Sequence, residues 1–167
     1  MIKDVIIITG PTAVGKSEVG VEVARKVGGE IISADSMQIY KGMDIGSGKI
    51  TKEEMKGVTH YLLDIKTVNE TYSVAEFCED CKKKIKEIML KGKVPIIVGG
   101  TGLYIKALVS NYNYFGVQRD DKLREELEKY AEKNGLEELY STLKKLSPSM
   151  AEKISPQDKK RIIRALE

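Results

Sequence analysis

The stretch that decides the fold reads Asp4-Val-Ile-Ile-Ile-Thr9 and continues as Gly10-Pro-Thr-Ala-Val-Gly15-Lys16-Ser17. The apolar run predicts a buried strand, and the apolar positions that recur after it predict a helix over residues 17–27. The loop between them has the form G-x-x-x-x-G-K-[ST], the P-loop pattern. Its glycines let backbone N–H groups surround phosphate oxygens, and the helix N-terminus adds partial positive charge. The sequence therefore predicts a site for a phosphate or pyrophosphate group.

We assign phosphate binding to the whole loop: Gly10, Pro11, Thr12, Ala13, Val14, Gly15, Lys16 and Ser17. The Lys16 ammonium would neutralise a bridging or terminal phosphate, and the Ser17 hydroxyl would be a ligand of Mg²⁺, the predicted cofactor. A glycine turn that starts a helix without binding any ligand is the structural alternative.

Short apolar runs alternate with amphipathic segments through the first two thirds of the chain. Further strands are predicted over residues 30–34, 60–65 and 94–98, and further helices begin near residues 73 and 103. The capping box Ser73-Val-Ala-Glu76 starts the first of these helices. This alternation predicts an α/β core over residues 1–112, with a P-loop NTPase-like parallel sheet flanked by helices.

From residue 113 the pattern is charged and helical, with no further strand. Helices are predicted over residues 119–134 and 136–146, and a third starts at Asp158, with Ser155 as N-cap and Pro156 at the first helical position. Residues 113–167 therefore predict a small all-helical domain. The sequence stops inside the last helix, and an apolar face left unburied there would predict self-association or a missing partner segment.

Composition limits the classes of protein that remain. The 167 residues include 41% hydrophobic residues, and 28 Lys and Arg against 25 Asp and Glu give a net charge of +3. A histone-like or acidic-tail protein is excluded, whereas nucleic acid remains a possible partner. No apolar run is long enough to span a membrane, and no signal peptide is evident, so a soluble cytoplasmic protein is expected.

The only two cysteines, Cys78 and Cys81, form a CxxC pattern. Such a pair can be a redox centre or half of a zinc site. No second pair exists here, and the flanking Glu79 and Asp80 would raise the thiol pKa values. We interpret them as ordinary thiols of a helix.

Polar residues follow the predicted strands at the edge of the sheet where ligands bind in open α/β folds. Asp35 follows the second strand, Asp64 the third, and Gly99-Gly-Thr101-Gly the fourth. On position alone, the simplest role of Asp35 is a water-mediated Mg²⁺ contact or a turn cap. A motor ATPase would pair a metal-binding acid with a water-orienting group, and that arrangement is not evident.

Several segments beyond the P-loop are specific in sequence. They are Glu30-Ile-Ile-Ser-Ala-Asp-Ser-Met-Gln-Ile-Tyr40, Gly42-Met-Asp-Ile-Gly46, Lys49, His60-Tyr-Leu-Leu-Asp64, Tyr72-Ser-x-x-x-Phe77, Pro95-Ile-Ile-Val-Gly-Gly-Thr-Gly-Leu-Tyr104, Pro156-x-Asp158 and Arg161-x-x-Arg164-Ala-Leu-Glu167. Together with the P-loop, and in this order, they resemble the tRNA dimethylallyltransferase (tRNA isopentenyltransferase) family over essentially the whole chain.

The resemblance implies transfer of a dimethylallyl group from dimethylallyl diphosphate to N6 of an adenosine adjacent to the anticodon of tRNA, with release of pyrophosphate. The P-loop would hold the pyrophosphate, Asp35 would act as the base, and Thr101 would lie near both reactants. The resemblance also implies contacts with the tRNA anticodon stem-loop by Asp35, Ser36, Met37, Gln38, Thr101, Arg124, Lys160, Arg161, Ile162, Ile163 and Arg164.

Members of this family are longer, so the resemblance implies that the helical domain is incomplete and that activity of the 167 residues alone is impaired. It also implies a monomeric full-length enzyme. Two alternatives remain open. An ATP-dependent small-molecule kinase would use Asp35 as base toward a hydroxyl, but Arg25 is the only arginine before Arg119, so no arginine-rich lid is evident. A non-catalytic module would bind only diphosphate or RNA.

Overall fold

The computed structural model describes residues 4–110 and 120–167. The chain divides into two compact units, Met1–Asn113 and Tyr114–Glu167. The predicted boundary between residues 112 and 113 lies one residue earlier and outside the described residues. Each unit has a hydrophobic core of its own.

The first unit is a parallel sheet flanked by helices, which confirms the predicted fold class. Its elements are β1 (Ile6–Thr9), α1 (Lys16–Val27), β2 (Gly29–Ser33), β3 (His60–Tyr61), α2 (Val74–Leu90), β4 (Val94–Gly99) and α3 (Gly102–Val109). The strands are ordered β1-β4-β2-β3, and every pair is parallel. The crossovers from β1 to β2 and from β3 to β4 run in opposite directions, so right-handed connections place α1 and α2 on opposite faces.

Small residues let α1 pack closely on the sheet. Val21 and Ala24 are buried in one cluster with Ile96. Gly20 faces the same surface, where an added Cβ would lie 2.8 Å from a methyl group of Val98. This close packing fixes the start of α1, and with it the P-loop, relative to β4.

The two cysteines lie on the buried side of α2, as free thiols. Burial raises the pKa of Cys81 to about 12, helped by the neighbouring Cys78 and Asp80, and burial also raises the pKa of Cys78. The helix starts as predicted: the Ser73 hydroxyl accepts from the backbone N–H of Glu76, whose carboxylate accepts from the N–H of Ser73. Both cysteines therefore lie in a helix, as predicted.

The third strand is shorter than the predicted range of 60–65. It ends at Tyr61 because the next residues leave the extended conformation, with φ of 60° at Leu62 and 54° at Asp64. Residues in the left-handed region cannot continue a β-ladder. The polypeptide therefore turns early and brings Asp64 beside the loop that follows β2.

The second unit contains α4 (Asp121–Asn134), α5 (Leu136–Leu146), α6 (Pro148–Ala151) and α7 (Lys159–Leu166). The predicted start of the first helix, residue 119, lies outside the described residues. Sequence reasoning missed α6, although Ser147-Pro148 has the pattern of a helix start. The last helix starts one residue after the predicted Asp158, but Ser155 as its N-cap and Pro156 as its first residue were wrong. Asp158 is the N-cap, because its carboxylate accepts from the N–H of Arg161 at 3.0 Å.

The expected unburied apolar face of the last helix was also wrong. Ile162 and Ile163 of α7 are buried with Leu139 and Leu143 of α5 and with Ala131 of α4. The apolar positions of α7 thus form the core of the second unit and are not available for self-association.

Among the helices described in the two ranges, none is both long enough and apolar enough to cross a membrane.

Candidate functional site

The P-loop connects β1 to α1 and enters the left-handed region at two of its residues. Gly15 is the N-cap of α1 with φ of 83°, and Ala13 also lies in the left-handed region with φ of 64°. Backbone turned in this way presents N–H groups to one side, as anion-binding loops do. The Lys16 ammonium donates to the carbonyl of Pro11. This bond places the ammonium next to the backbone of the loop.

A cavity of about 270 Å³ lies against the P-loop. Its lining comes from the P-loop, from the end of β4, from the segment after β2 and from a glycine-rich loop: Thr12, Ala13, Gly15, Lys16, Ser17, Asp35, Gln38, Gly46, Ser47, Gly48, Val98, Gly99 and Gly100. Of the candidate site residues, Thr12, Ala13, Gly15, Lys16, Ser17, Asp35 and Gln38 therefore share one cavity.

A second cavity of about 360 Å³ shares Gly15, Ser17 and Gly48 with the first. Its other lining residues include the apolar Val21 and Ile50. Ser17 thus contributes to both cavities.

Asp35 closes the turn that follows β2. Its Oδ1 accepts from the backbone N–H groups of Met37 and Gln38 at 2.8 and 3.3 Å. Its Oδ2 has no hydrogen-bond partner within the two described ranges. The turn-cap role is therefore real, and it leaves the second oxygen available for another function.

Thr101 connects the ends of β4 and β2. Its hydroxyl oxygen accepts from the N–H of Ser36 at 2.9 Å and lies 3.3 Å from the Ser36 hydroxyl. The N–H of Thr101 donates to the carbonyl of Ala34 at 3.2 Å. Thr101 is not among the lining residues of the P-loop cavity, and its contacts fix the position of the residues beside Asp35.

Gly99 allows this junction to form. A Cβ added there would lie 2.2 Å from the carbonyl oxygen of Ala34, which is backbone and cannot move aside as a side chain would. The edge of the sheet that carries Asp35 and the P-loop thus requires glycine at position 99.

We expect Gly99→Ala to lower the free energy of unfolding by about 1–3 kcal/mol, the usual cost of overpacking. Urea unfolding followed by circular dichroism measures this. Gly102→Ala is the matched control, because no atom outside α3 and the adjoining residues lies within 4 Å of its added Cβ. That variant should be neutral or slightly stabilising. If Gly99→Ala and Gly102→Ala had equal free energies of unfolding, the close contact between position 99 and the Ala34 carbonyl would be contradicted.

The loop at Gly46–Gly48 was not predicted as part of the site. Gln38 holds it, since the side-chain amide donates to the carbonyls of Ser47 and Gly48 at 3.3 and 3.4 Å. Its glycine-rich sequence, and its place next to the specific segment Gly42–Gly46, could have indicated it. Asp64, expected at the functional edge, instead forms an ion pair with Lys49 at 2.6 Å.

In the second unit, the half-buried Arg124 is bonded to Glu167. Its Nε and Nη2 donate to one oxygen of Glu167 at 2.9 and 2.8 Å, and Arg164 donates to the same oxygen at 2.6 Å. Burial alone would raise the pKa of Glu167, but the bonds from Arg124, Arg164 and the N–H of Asp120 lower it to about 2.

The remaining residues expected to contact RNA differ in exposure. Lys160, Arg161 and Arg164 are exposed on α7. Ile162 and Ile163 are buried in the core of the second unit, so contacts between their side chains and RNA are excluded. Among the described residues of the second unit that were expected to contact RNA, the basic side chains of α7 therefore present the exposed surface.

The fold and the cavity define the structural class of the protein. A glycine-rich loop between β1 and the N-terminus of α1, at the carboxyl edge of a parallel sheet, makes this chain a P-loop α/β protein. Residues 38–167 match the IPP transferase family. The chain belongs to that family.

Named relatives agree with this assignment. The tRNA dimethylallyltransferase of Oceanobacillus iheyensis is 49% identical over 167 residues, which are 100% of this chain and 53% of that protein. The enzyme of the same name from Caldanaerobacter subterraneus subsp. tengcongensis is 52% identical over 163 residues, 98% of this chain and 52% of that protein. The chain thus spans about half the length of the curated relatives it matches.

Solved structures show the same similarity. The full-length tRNA isopentenylpyrophosphate transferase from Bacillus halodurans is 45% identical with a TM-score of 0.67, over 99% of this chain and 55% of that one. A eukaryotic dimethylallyltransferase acting on tRNA is 33% identical with a TM-score of 0.81, over 97% of this chain and 40% of that one.

Proposed function

We propose that this chain transfers a dimethylallyl group from dimethylallyl diphosphate to N6 of an adenosine adjacent to the anticodon of tRNA, in the cytoplasm. The observation that carries the proposal is the P-loop cavity, which combines a phosphate-binding loop with the carboxylate of Asp35. Relatives named for this activity support the choice of substrates.

The P-loop would bind the diphosphate. Backbone N–H groups from Gly10 to Ser17, the N-terminus of α1 and the Lys16 ammonium together oppose the charge that develops on the leaving pyrophosphate. Such preorganised charge is worth more in the transition state than in the substrate, because the pyrophosphate gains charge as it leaves.

The residues of the cavity are compatible with Mg²⁺. The hydroxyl of Ser17 and the carboxylate of Asp35 are the hard oxygen donors that this ion prefers, and Mg²⁺ commonly keeps waters and substrate phosphates as its other ligands. We propose that Ser17 holds it. When bound, the ion neutralises charge on the diphosphate.

Asp35 would act as the base. N6 of the adenosine attacks the allylic carbon attached to oxygen, and the carbon–oxygen bond breaks with its electron pair leaving on pyrophosphate. The N6 proton passes to Asp35 Oδ2, the oxygen that the turn does not use. An aromatic amine is a weak nucleophile, so removal of this proton as the bond forms assists the reaction.

The acceptor RNA would approach the same edge of the sheet. Ser36, Met37 and Gln38 follow Asp35 directly, and we propose that they and Thr101 contact the anticodon loop. The adenosine must leave its stack to reach the cavity, which costs least in a loop. In the second unit, the exposed Lys160, Arg161 and Arg164 would contact phosphates, which predicts binding that weakens with salt.

Isothermal titration calorimetry tests the proposal directly. In the presence of Mg²⁺, we expect the chain to bind dimethylallyl thiodiphosphate, a poorly reactive analogue, more tightly than ATP. Tighter binding of ATP would instead indicate a kinase that uses the same P-loop. Binding of neither compound would contradict a functional diphosphate site in this chain.

A further inference from the structure

We propose that Lys49 is a positioning residue that holds the loop Gly46–Gly48 against the P-loop cavity and so sets the affinity for diphosphate. The inference rests on the diphosphate site proposed above. The Lys49 ammonium bonds to Tyr40, Asp44 and Asp64 and would act on the cavity through the loop Gly46–Gly48.

The contacts of Lys49 are unusual for a lysine. Its side chain is only 6% exposed, and its ammonium donates to the carbonyl of Tyr40 at 2.8 Å, to Asp44 at 2.7 Å and to Asp64 at 2.6 Å. An ammonium has three donors, so each finds an acceptor. We call Lys49 with these three partners the Lys49 clamp.

The Lys49 clamp joins three parts of the chain. Tyr40 follows β2, Asp44 belongs to the connecting loop, and Asp64 follows β3. Burial alone would lower the pKa of Lys49, but the bonds to Asp44 and Asp64 raise it above its ordinary value. The ammonium therefore keeps its charge, and the three segments stay joined across the neutral pH range.

The clamped segment forms one wall of the cavity. Gly46, Ser47 and Gly48 lie between Asp44 and Lys49 in sequence and line the cavity with Lys16 and Asp35. The backbone N–H of Lys49 donates to the carbonyl of Asp44 at 3.0 Å, which closes the loop into a compact turn. Gln38 is the second attachment of this wall. Loss of the clamp would leave the wall held by the Gln38 amide, by the Ser47 hydroxyl on the carbonyls of Met43 and Asp44, and by local backbone bonds.

The test compares Lys49→Met with a matched variant at the opposite edge of the sheet. Lys93 donates to the buried Glu30 at 2.6 Å, so Lys93→Met also removes an ammonium–carboxylate bond but leaves the cavity untouched. The readout is the dissociation constant for inorganic pyrophosphate with Mg²⁺, measured by calorimetry well below the thermal midpoint of each variant.

We expect Lys49→Met to raise this dissociation constant about tenfold, as loss of residues that orient ligand-binding groups commonly does, and Lys93→Met to leave it unchanged. Equal values for the wild type and Lys49→Met would overturn the inference, and so would equal weakening by both variants. If Lys49→Met does not fold, Asp64→Asn replaces it. We then expect a smaller rise in the dissociation constant for pyrophosphate. An unchanged constant in Asp64→Asn would overturn the inference. No pyrophosphate binding by the wild type would overturn the proposed function, and this inference with it.

Discussion

Lys16→Ala is expected to raise the dissociation constant for pyrophosphate by about 10- to 150-fold, the loss that corresponds to about 1.5–3 kcal/mol for a hydrogen bond to a charged group. Lys16 carries the only positively charged side chain among the described residues that line the P-loop cavity. The backbone N–H groups of the loop remain in the variant, so binding should weaken without vanishing. Calorimetric titration of pyrophosphate with Mg²⁺ measures the change.

The matched control for this prediction is Lys26→Ala. Lys26 is an exposed lysine in the last turn of the same helix, at the end away from the loop. Lys26→Ala changes the net charge of the protein by the same amount as Lys16→Ala. Because Lys26 is exposed and far from the P-loop, solvent and salt screen its charge from bound pyrophosphate. A similar loss in both variants would show that overall charge, and not the P-loop, determines binding.

The second large effect is expected from Asp35→Asn. Asparagine keeps the side-chain oxygen that accepts from Met37 and Gln38, so the turn is retained, but it cannot accept the N6 proton. We expect the rate of dimethylallyl transfer to fall about 10²- to 10⁴-fold, the usual contribution of a general base. Single-turnover transfer to an anticodon stem-loop RNA, followed by mass spectrometry of the adenosine, measures this rate.

Pyrophosphate binding serves as the internal control for Asp35→Asn. The variant removes a negative charge from the cavity, so its affinity for pyrophosphate should be equal to or higher than that of the wild type. Transfer at the wild-type rate would show that Asp35 is not the base. Loss of pyrophosphate binding together with transfer would indicate a damaged cavity instead of a missing base.

Local sequence determined much of the first unit. The P-loop pattern places a strand before Gly10 and a helix after Gly15, and both form there. The sequence also placed Asp35 at the carboxyl end of β2, because apolar runs in a parallel sheet end at a common edge. Its role in capping the turn was among the expected alternatives, since Asp commonly accepts from N–H groups two or three residues onward.

Long-range pairing explains what sequence reasoning missed. Lys49 finds Asp64 only because the polypeptide turns sharply at Leu62, and no local pattern indicates a positive φ at a leucine. Gly46–Gly48 is attached to the cavity by Gln38, which lies in another segment. In the second unit, helical spacing identified the apolar positions of α7 but not their burial by α4 and α5.

The buried thiols of α2 have a practical consequence for fluorescence experiments. Because burial raises the pKa of both Cys78 and Cys81, maleimide dyes at neutral pH should react slowly with the unmodified chain. Ile45 is 99% exposed and adjoins the cavity wall, so Ile45→Cys would provide one selectively labelled position. A dye there would report occupancy of the cavity by its change in emission, without removal of either native cysteine.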